Sequence, residues 1–212
     1  MRYQGFAIYV LLGLVITLLA NSAQTLERDQ IGDQYIKSWV VGGPFPSANL
    51  NVDHFATAIS GGEKAVATRG WGANNEIPTS DGRIVVLKDF TATGKAVDLV
   101  TAVGVEQGMA GGYQESVTAY AIAFINASKA ETIEFGMGID GTAVVWVNGV
   151  QVYRGTSAEK MAFDGVLVPN VKLKQGLNII MTKVVRPTVG WRPDHASTAT
   201  GWGFALRILP NG

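Results

Sequence analysis

The stretch Ile133 to Tyr153, IEFGMGIDGTAVVWVNGVQVY, constrains the fold of this chain more than any other. Ile133, Phe135, Met137 and Ile139 fall on one side of an extended backbone, with Glu134, Gly136 and Gly138 on the other. That period of two marks a half-buried strand. The next run, Ala143 to Val147, is apolar at every position, as in a strand covered on both faces. Asp140-Gly141 and Asn148-Gly149 supply the positive φ angles that two-residue hairpins need. The stretch therefore predicts three short strands joined by two tight turns, an antiparallel meander with no catalytic machinery in it.

The rest of the chain repeats this pattern. Tyr35 to Val41 is a predicted strand, ended by Gly42-Gly43-Pro44-Phe45-Pro46, where glycine and proline together oppose regular structure. Asn51 to Ser60 predicts one or two helical turns with Asn51 as cap, stopped by Gly61-Gly62. Ala65 to Ala67 is read as a short strand, Trp71 to Asp81 as loop, Arg83 to Leu87 as a strand and Lys88 to Val97 as polar and turn-rich. Ala96 to Val105 fits helix or strand equally, and Glu106 to Gln114 is read as loop. Ser116 to Ile125 is a strand that places Tyr120, Ile122 and Phe124 together. Gly155 to Asp164 is a connection, Val166 to Val168 and Val171 to Leu173 are strands broken at Pro169-Asn170, and Leu177 to Val185 is buried. Trp202, Phe204, Leu206 and Ile208 alternate along the last strand. Short strands at frequent turns, with almost no helical periodicity, predict an all-β antiparallel β-sandwich forming one domain over residues 35–209.

Composition narrows the function classes. Seventeen basic and seventeen acidic residues cancel, which leaves no electrostatic footprint for nucleic acid or an anionic membrane surface. The absence of cysteine excludes disulfides, thiolate metal sites, cysteine nucleophiles and a lipidated cysteine anchor. At the start, Arg2 precedes the apolar run Phe6 to Ala20 and the small residues Ala20-Asn21-Ser22-Ala23. This is the layout of a secretory signal peptide over residues 1–23, cleaved near Ser22 or Ala23. The alternative reading is an uncleaved anchor, against which the run of fifteen residues falls short of the roughly 20 that span a bilayer. Residues 24–34 are then a polar lead-in, and the mature protein is expected to be secreted or periplasmic, or held at the cell surface, with no stable membrane insertion.

Three stretches together resemble a family pattern: Trp39 to Pro46 (WVVGGPFP), Gly138 to Gly141 leading into Val145 to Gly149 (VWVNG), and Leu173 to Lys183 (LKQGLNIIMTK) followed by Gly201 to Arg207 (GWGFALR). The chain resembles the galactose-binding-like jelly-roll domains attached to many secreted bacterial hydrolases and surface proteins, and more distantly the PA14 family. The resemblance covers most of residues 35–209. It implies a jelly-roll sandwich and a non-catalytic module, often one that binds carbohydrate and often one that packs against a neighbouring protein. In calcium-dependent sugar-binding PA14 members an Asp-Asp pair precedes the glycine, whereas this chain has Ile139-Asp140. Ile139 removes one of the oxygen ligands that calcium wants, so Asp140 is expected to be a turn residue accepting backbone hydrogen bonds.

No catalytic constellation, metal set or cofactor motif stands out, so no enzyme activity, metal or cofactor is expected. His54, beside Asp53, lacks the second ligand of a metal site and is read as structural. One stretch looks costly without a purpose: Arg186 to Thr200 (RPTVGWRPDHASTAT), a long connection between two strands. It carries Trp191, Arg192, Asp194 and His195, an aromatic plate, a planar donor, an acceptor and an imidazole suited to a sugar. Arg69 and Trp71, followed by Asn74, Asn75 and Glu76, form a second candidate wall. The competing reading is that both tryptophans plug the ends of the sandwich, since tryptophan is usually highly buried. The expected partner is a carbohydrate or another cell-envelope ligand, or else a protein on which the domain docks.

Overall fold

The computed structural model describes residues 24–25, 34–47, 49–104, 117–157, 161–186 and 202–209. The signal-peptide stretch, the expected loop at Glu106 to Gln114 and the candidate residues Trp191, Arg192, Asp194 and His195 lie outside the described residues. In chain order the elements are β1 (Gln24–Thr25), β2 (Ser38–Pro46), α1 (Gly62–Arg69), β3 (Glu76–Pro78), β4 (Ile84–Val86), β5 (Lys88–Thr91), β6 (Val97–Asp98), α2 (Leu99–Val103), β7 (Val117–Ala127), β8 (Glu131–Val147), β9 (Val150–Ser157), β10 (Val166–Leu173), β11 (Gly176–Arg186) and β12 (Gly203–Leu209). The fold is all-β, as expected, with antiparallel pairing everywhere except where β1 lies parallel to β7.

The central stretch differs from its sequence reading in one respect. Asp140-Gly141 makes no hairpin; β8 runs unbroken through it for 17 residues. The dipeptide is instead the point where one strand leaves one sheet for another. Before it, β8 pairs with β10 and β12; after it, with β11 and β9. Gly141, at φ 111, permits the bend, and the chain keeps extending because different partners capture its two halves. Asn148-Gly149 is the true hairpin, with φ 51 and 80 at its two residues, as an Asn-Gly turn requires.

Two layers follow from this shared strand. The first has the order β5-β2-β7-β11-β8-β9, the second β10-β8-β12-β6. Between them lies the main core, with Trp39, Ala121, Ile125, Ile180 and Val184 from the first layer meeting Phe135, Met137, Phe204 and Leu206 from the second. Trp202, Phe204, Leu206 and Ile208 are all buried, as their alternation predicts. Each such side chain contributes about 1.5–3 kcal/mol on burial, so this interface dominates stability.

The first layer is covered on its other face as well. Every residue from Val117 to Ile125 is buried. Tyr120, Ile122 and Phe124 point away from the sandwich core and join Phe45, Ile179 and Met181 in a second cluster. The lid on that cluster is residues 49–87, which bring in Phe55, Val66, Ala67, Ile77 and Leu87. Here the local readings at 51–67 are corrected. Residues 51–60 hold one helical turn, closed by the Ile59 N–H donating to the Phe55 carbonyl, but with Asp53 and not Asn51 capping it. Gly61-Gly62 starts a helix rather than stopping one, and Ala65 to Ala67 is helical. The reason is Asp53, whose carboxylate accepts the Glu63 N–H at 2.9 and 3.0 Å and caps α1 from ten residues upstream. Sequence-local cap rules do not see such a distant partner.

Two further differences are smaller. The proline-glycine stretch does not end β2, which runs on to Pro46 through an irregularity between Gly42 and Phe45, with a cis Gly43-Pro44 bond. Ala96 to Val105 holds both alternatives in sequence, β6 and then α2, whose N-cap Asp98 accepts from the N–H of Val100 and Thr101. The break at Pro169-Asn170 appears as a register shift within a single β10. Among the described residues no helix is long and apolar enough to cross a membrane.

Candidate functional site

One end of the sandwich collects the ends of several strands. β7 begins at Val117 opposite Arg186, the last residue of β11, and beside Pro46 of β2. Trp202 returns the chain to the second layer, its carbonyl accepting the N–H of Leu99 at the start of α2, and the next residue, Gly203, pairs with both Asp98 and Asp140. β9 closes on Gly141 at Ser157, and the Met161 N–H donates to Asp140 at 3.3 Å. So the start of β7 at Val117, the end of β9 at Ser157, the end of β11 at Arg186 and the start of β12 at Gly203 all sit at the end where β8 changes layers. Asp140 and Arg186 are buried there at 8% and 4% exposure. Asp140 accepts a backbone hydrogen bond, the role its sequence context predicts, although in a bend and not in a hairpin turn. Among the described residues no three His, Asp or Glu side chains gather as a metal-binding group.

A groove of about 220 Å³ opens beside this end, between the β2 irregularity (Gly43, Pro44), α2 (Ala102, Val103) and β4 (Ile84, Val85, Val86). Arg83 and Lys88 add positive charge to its lining. Ile84 and Val86 project from the same side of β4 and stay 59% and 37% exposed.

The second candidate wall is elsewhere. Gly70, between Arg69 and Trp71, packs against Phe124 and Ile179, where an added Cβ would meet Phe124 at 2.4 Å. That row of the sheet is seven residues along β7 and β11 from the Val117 and Arg186 row (117 to 124, 186 to 179), or about 23 Å at strand spacing. Trp71 is half-buried, its ring edge-on to Phe55 at 5.7 Å, and Arg69 is exposed at the end of α1. Trp71 therefore belongs mainly to the lid over the second cluster.

Sequence reasoning missed the most polar feature of the interior. On the outer face of β11, Ile179 and Met181 are followed by Lys183, whose side chain is entirely enclosed. Its ammonium donates to the carbonyls of Leu50 at 3.0 Å and Val52 at 2.6 Å, and to Glu63 Oε1 at 2.6 Å. Tyr120, directly opposite on β7, donates to the same Glu63 oxygen at 2.5 Å. Burial pulls the Lys183 pKa down, with the Glu63 carboxylate opposing, and burial beside Glu63 drives the Tyr120 hydroxyl far up. A lysine with a lowered pKa suits nucleophilic chemistry. This one has three acceptors and no exposed surface, so it fastens the lid to the sheet. The signal was present as one charge in an otherwise apolar alternation.

His54 stands beside it. Its ring stacks on Phe45 at 4.8 Å and 25°, and its Nε2 is buried with no hydrogen-bond partner among the described residues. Burial first, then the Lys183 charge, lower its pKa from 6.5 to about 4, against the pull of Asp53. The structural reading of His54 agrees with this packing. A third polar group lies on the outside of the second layer, where Arg207 Nε donates to Asp164 Oδ1 at 2.9 Å and the Tyr35 hydroxyl donates to the same carboxylate at 3.2 Å.

No protein-family model matches the chain, and no curated protein matches it. Among solved structures it is similar to β-glucosidase from Kluyveromyces marxianus in complex with glucose, at 9% identity and a TM-score of 0.40. It is similar also to the selenomethionine-labelled form of that enzyme, at 10% identity and the same score. Each match covers 59% of this chain and 14% of the β-glucosidase chain. A likeness at that score says nothing about what this chain does.

Proposed function

We propose that this chain is an exported, non-catalytic binding module for carbohydrate or another cell-envelope ligand, with the site at the end of the sandwich where β8 changes layers. The observation that supports this is that elements flanking three connections, α2 to β7, β9 to β10 and β11 to β12, start or end there, at Val117, Ser157, Arg186 and Gly203. Sandwich domains commonly place recognition on connections clustered at one end of a rigid frame. The third connection carries Trp191, Arg192, Asp194 and His195. Stacking of a sugar's C–H face on an indole, with guanidinium, carboxylate and imidazole taking hydroxyls, is the recognition chemistry these residue types offer. Trp71 and Arg69, anchored a long way along the sheet, are left out of this site.

The test is intrinsic tryptophan fluorescence of the mature protein against a panel of envelope and plant polysaccharides, alongside a Trp191→Ala variant. The expected result is a saturable change with one glycan, lost in the variant while the melting temperature is kept. A flat response to every glycan, with Trp191→Ala lowering the melting temperature, makes Trp191 a packing residue and removes the proposal.

A second reading has its own support. Ile84 and Val86, exposed side by side on β4 along an apolar groove, suit a structural domain that docks on a protein partner. Under that reading Ile84→Thr weakens assembly and leaves glycan titrations flat.

A further inference from the structure

The lid over the second cluster is fastened by a small number of polar groups concentrated in residues 49–63. Lys183 holds the carbonyls of Leu50 and Val52. Asp53 accepts the N–H of Phe55 at 2.9 Å and that of Glu63, fixing the turn to the start of α1. Arg154 of β9 reaches over to the Asn51 side-chain oxygen at 2.7 Å. Between these anchors His54 lies flat on Phe45 with Nε2 enclosed and unpartnered among the described residues. The groups facing it are Asp53 on its own segment, Glu63 on α1, Tyr120 on β7 and Lys183 on β11, with Arg154 behind Lys183 and only the uncharged Phe45 from β2. A proton placed on His54 would bring a second cation beside Lys183 while Nε2 stays enclosed without a partner among the described residues.

We propose that residues 49–63 form an acid-released latch, which lets go of the first layer's outer face when His54 takes up a proton, while the sandwich core stays folded. The two interiors are separate clusters, so losing the lid leaves the main core intact. The direction follows from linkage. In the closed state His54 has a pKa of about 4, against 6.5 when free of the pocket, so the open state binds the proton more tightly. Closure is fully favoured above pH 6.5 and weakens progressively as pH falls towards 4. Through that window the opening equilibrium grows by up to roughly tenfold per pH unit. Release bares Phe45 and Tyr120, the two rings that His54 and Phe55 cover at neutral pH.

Hydrogen exchange read by mass spectrometry at pH 7.5 and pH 5.0, corrected for intrinsic rates, tests this on the mature protein. The expected result is that peptides spanning 50–63 lose roughly tenfold or more in protection at pH 5.0, while those spanning 119–125 and 178–185 keep theirs. His54→Phe, which retains the stack on Phe45 without a titrating group, abolishes the difference, and His54→Gln serves if the phenylalanine variant does not fold. Equal protection of residues 50–63 at the two pH values in the wild type overturns the proposal. So does simultaneous loss in latch and core, or a difference that persists in either variant.

Discussion

Lys183 shows how one residue can set the arrangement of a whole layer. A lysine on a core-facing row is costly to bury unless every donor is paired, and its partners here come from three places: two backbone carbonyls of the lid and a carboxylate on α1. Removing the cation leaves Glu63 buried beside Tyr120 and strands the carbonyls of Leu50 and Val52. Lys183→Met is expected to cost about 3–5 kcal/mol in urea denaturation. Glu63→Gln, whose amide oxygen still accepts, should cost clearly less. Equal stability of Lys183→Met and wild type would mean that the lid is held by its apolar contacts alone. The alternation Ile179, Met181, Lys183 is visible in the sequence, yet its meaning is not, because Leu50, Val52 and Glu63 lie 120 or more positions away. For His54 the sequence shows only that no second ligand stands nearby; its stacking on Phe45 needed the fold.

At the level of elements, turn chemistry was readable where both flanking strands pair with each other, and misleading where they do not. Asn148-Gly149 joins β8 to β9, which pair along their length, so the local signal and the topology agree. Asp140-Gly141 carries the same type of signal, but its flanks pair with β12 on one side and β11 on the other, and the dipeptide becomes a bend. No local rule separates these cases, since the partners that decide are far away in sequence. The turn before β11 yields a prediction. Asn178 is fully buried; its Oδ1 accepts the Lys174 N–H at 2.9 Å, and its Nδ2 donates to the carbonyls of Lys174 and Gly176 at 2.8 and 2.9 Å. Asn148 also donates to it, at 2.8 Å, tying this turn to the hairpin. Asn178→Ala orphans several buried groups at once and is expected to destabilise by about 2 kcal/mol or more in a denaturant titration. A loss below about 0.5 kcal/mol would show that water replaces these bonds.

At the scale of the molecule, the all-β antiparallel sandwich was readable from strand periodicity and turn spacing; the alternation along β8 and β12 marks their core faces, whereas the residues grouped on β7 face the second cluster. The lid was not. Residues 49–87 have weak periodicity, and they find their structure on the apolar outer face of a sheet built from residues much later in the chain. Of the candidate site, the sequence supplied the residue types; the fold shows that Val117, Ser157 and Arg186 lie at one end of the sandwich, with Gly70 and the candidate wall around it held on another row. We propose recognition at the end where β8 changes layers. It is tested most directly by titrating uniformly ¹⁵N-labelled mature protein with soluble fragments of envelope polysaccharide and mapping the perturbed amides. The account predicts shifts concentrated at Val117, Asp140, Arg186 and the Trp202 indole, with Asn148, Gly149 and Gly176 unmoved. Shifts centred on Gly149 and Trp71, or none with any fragment, would contradict it.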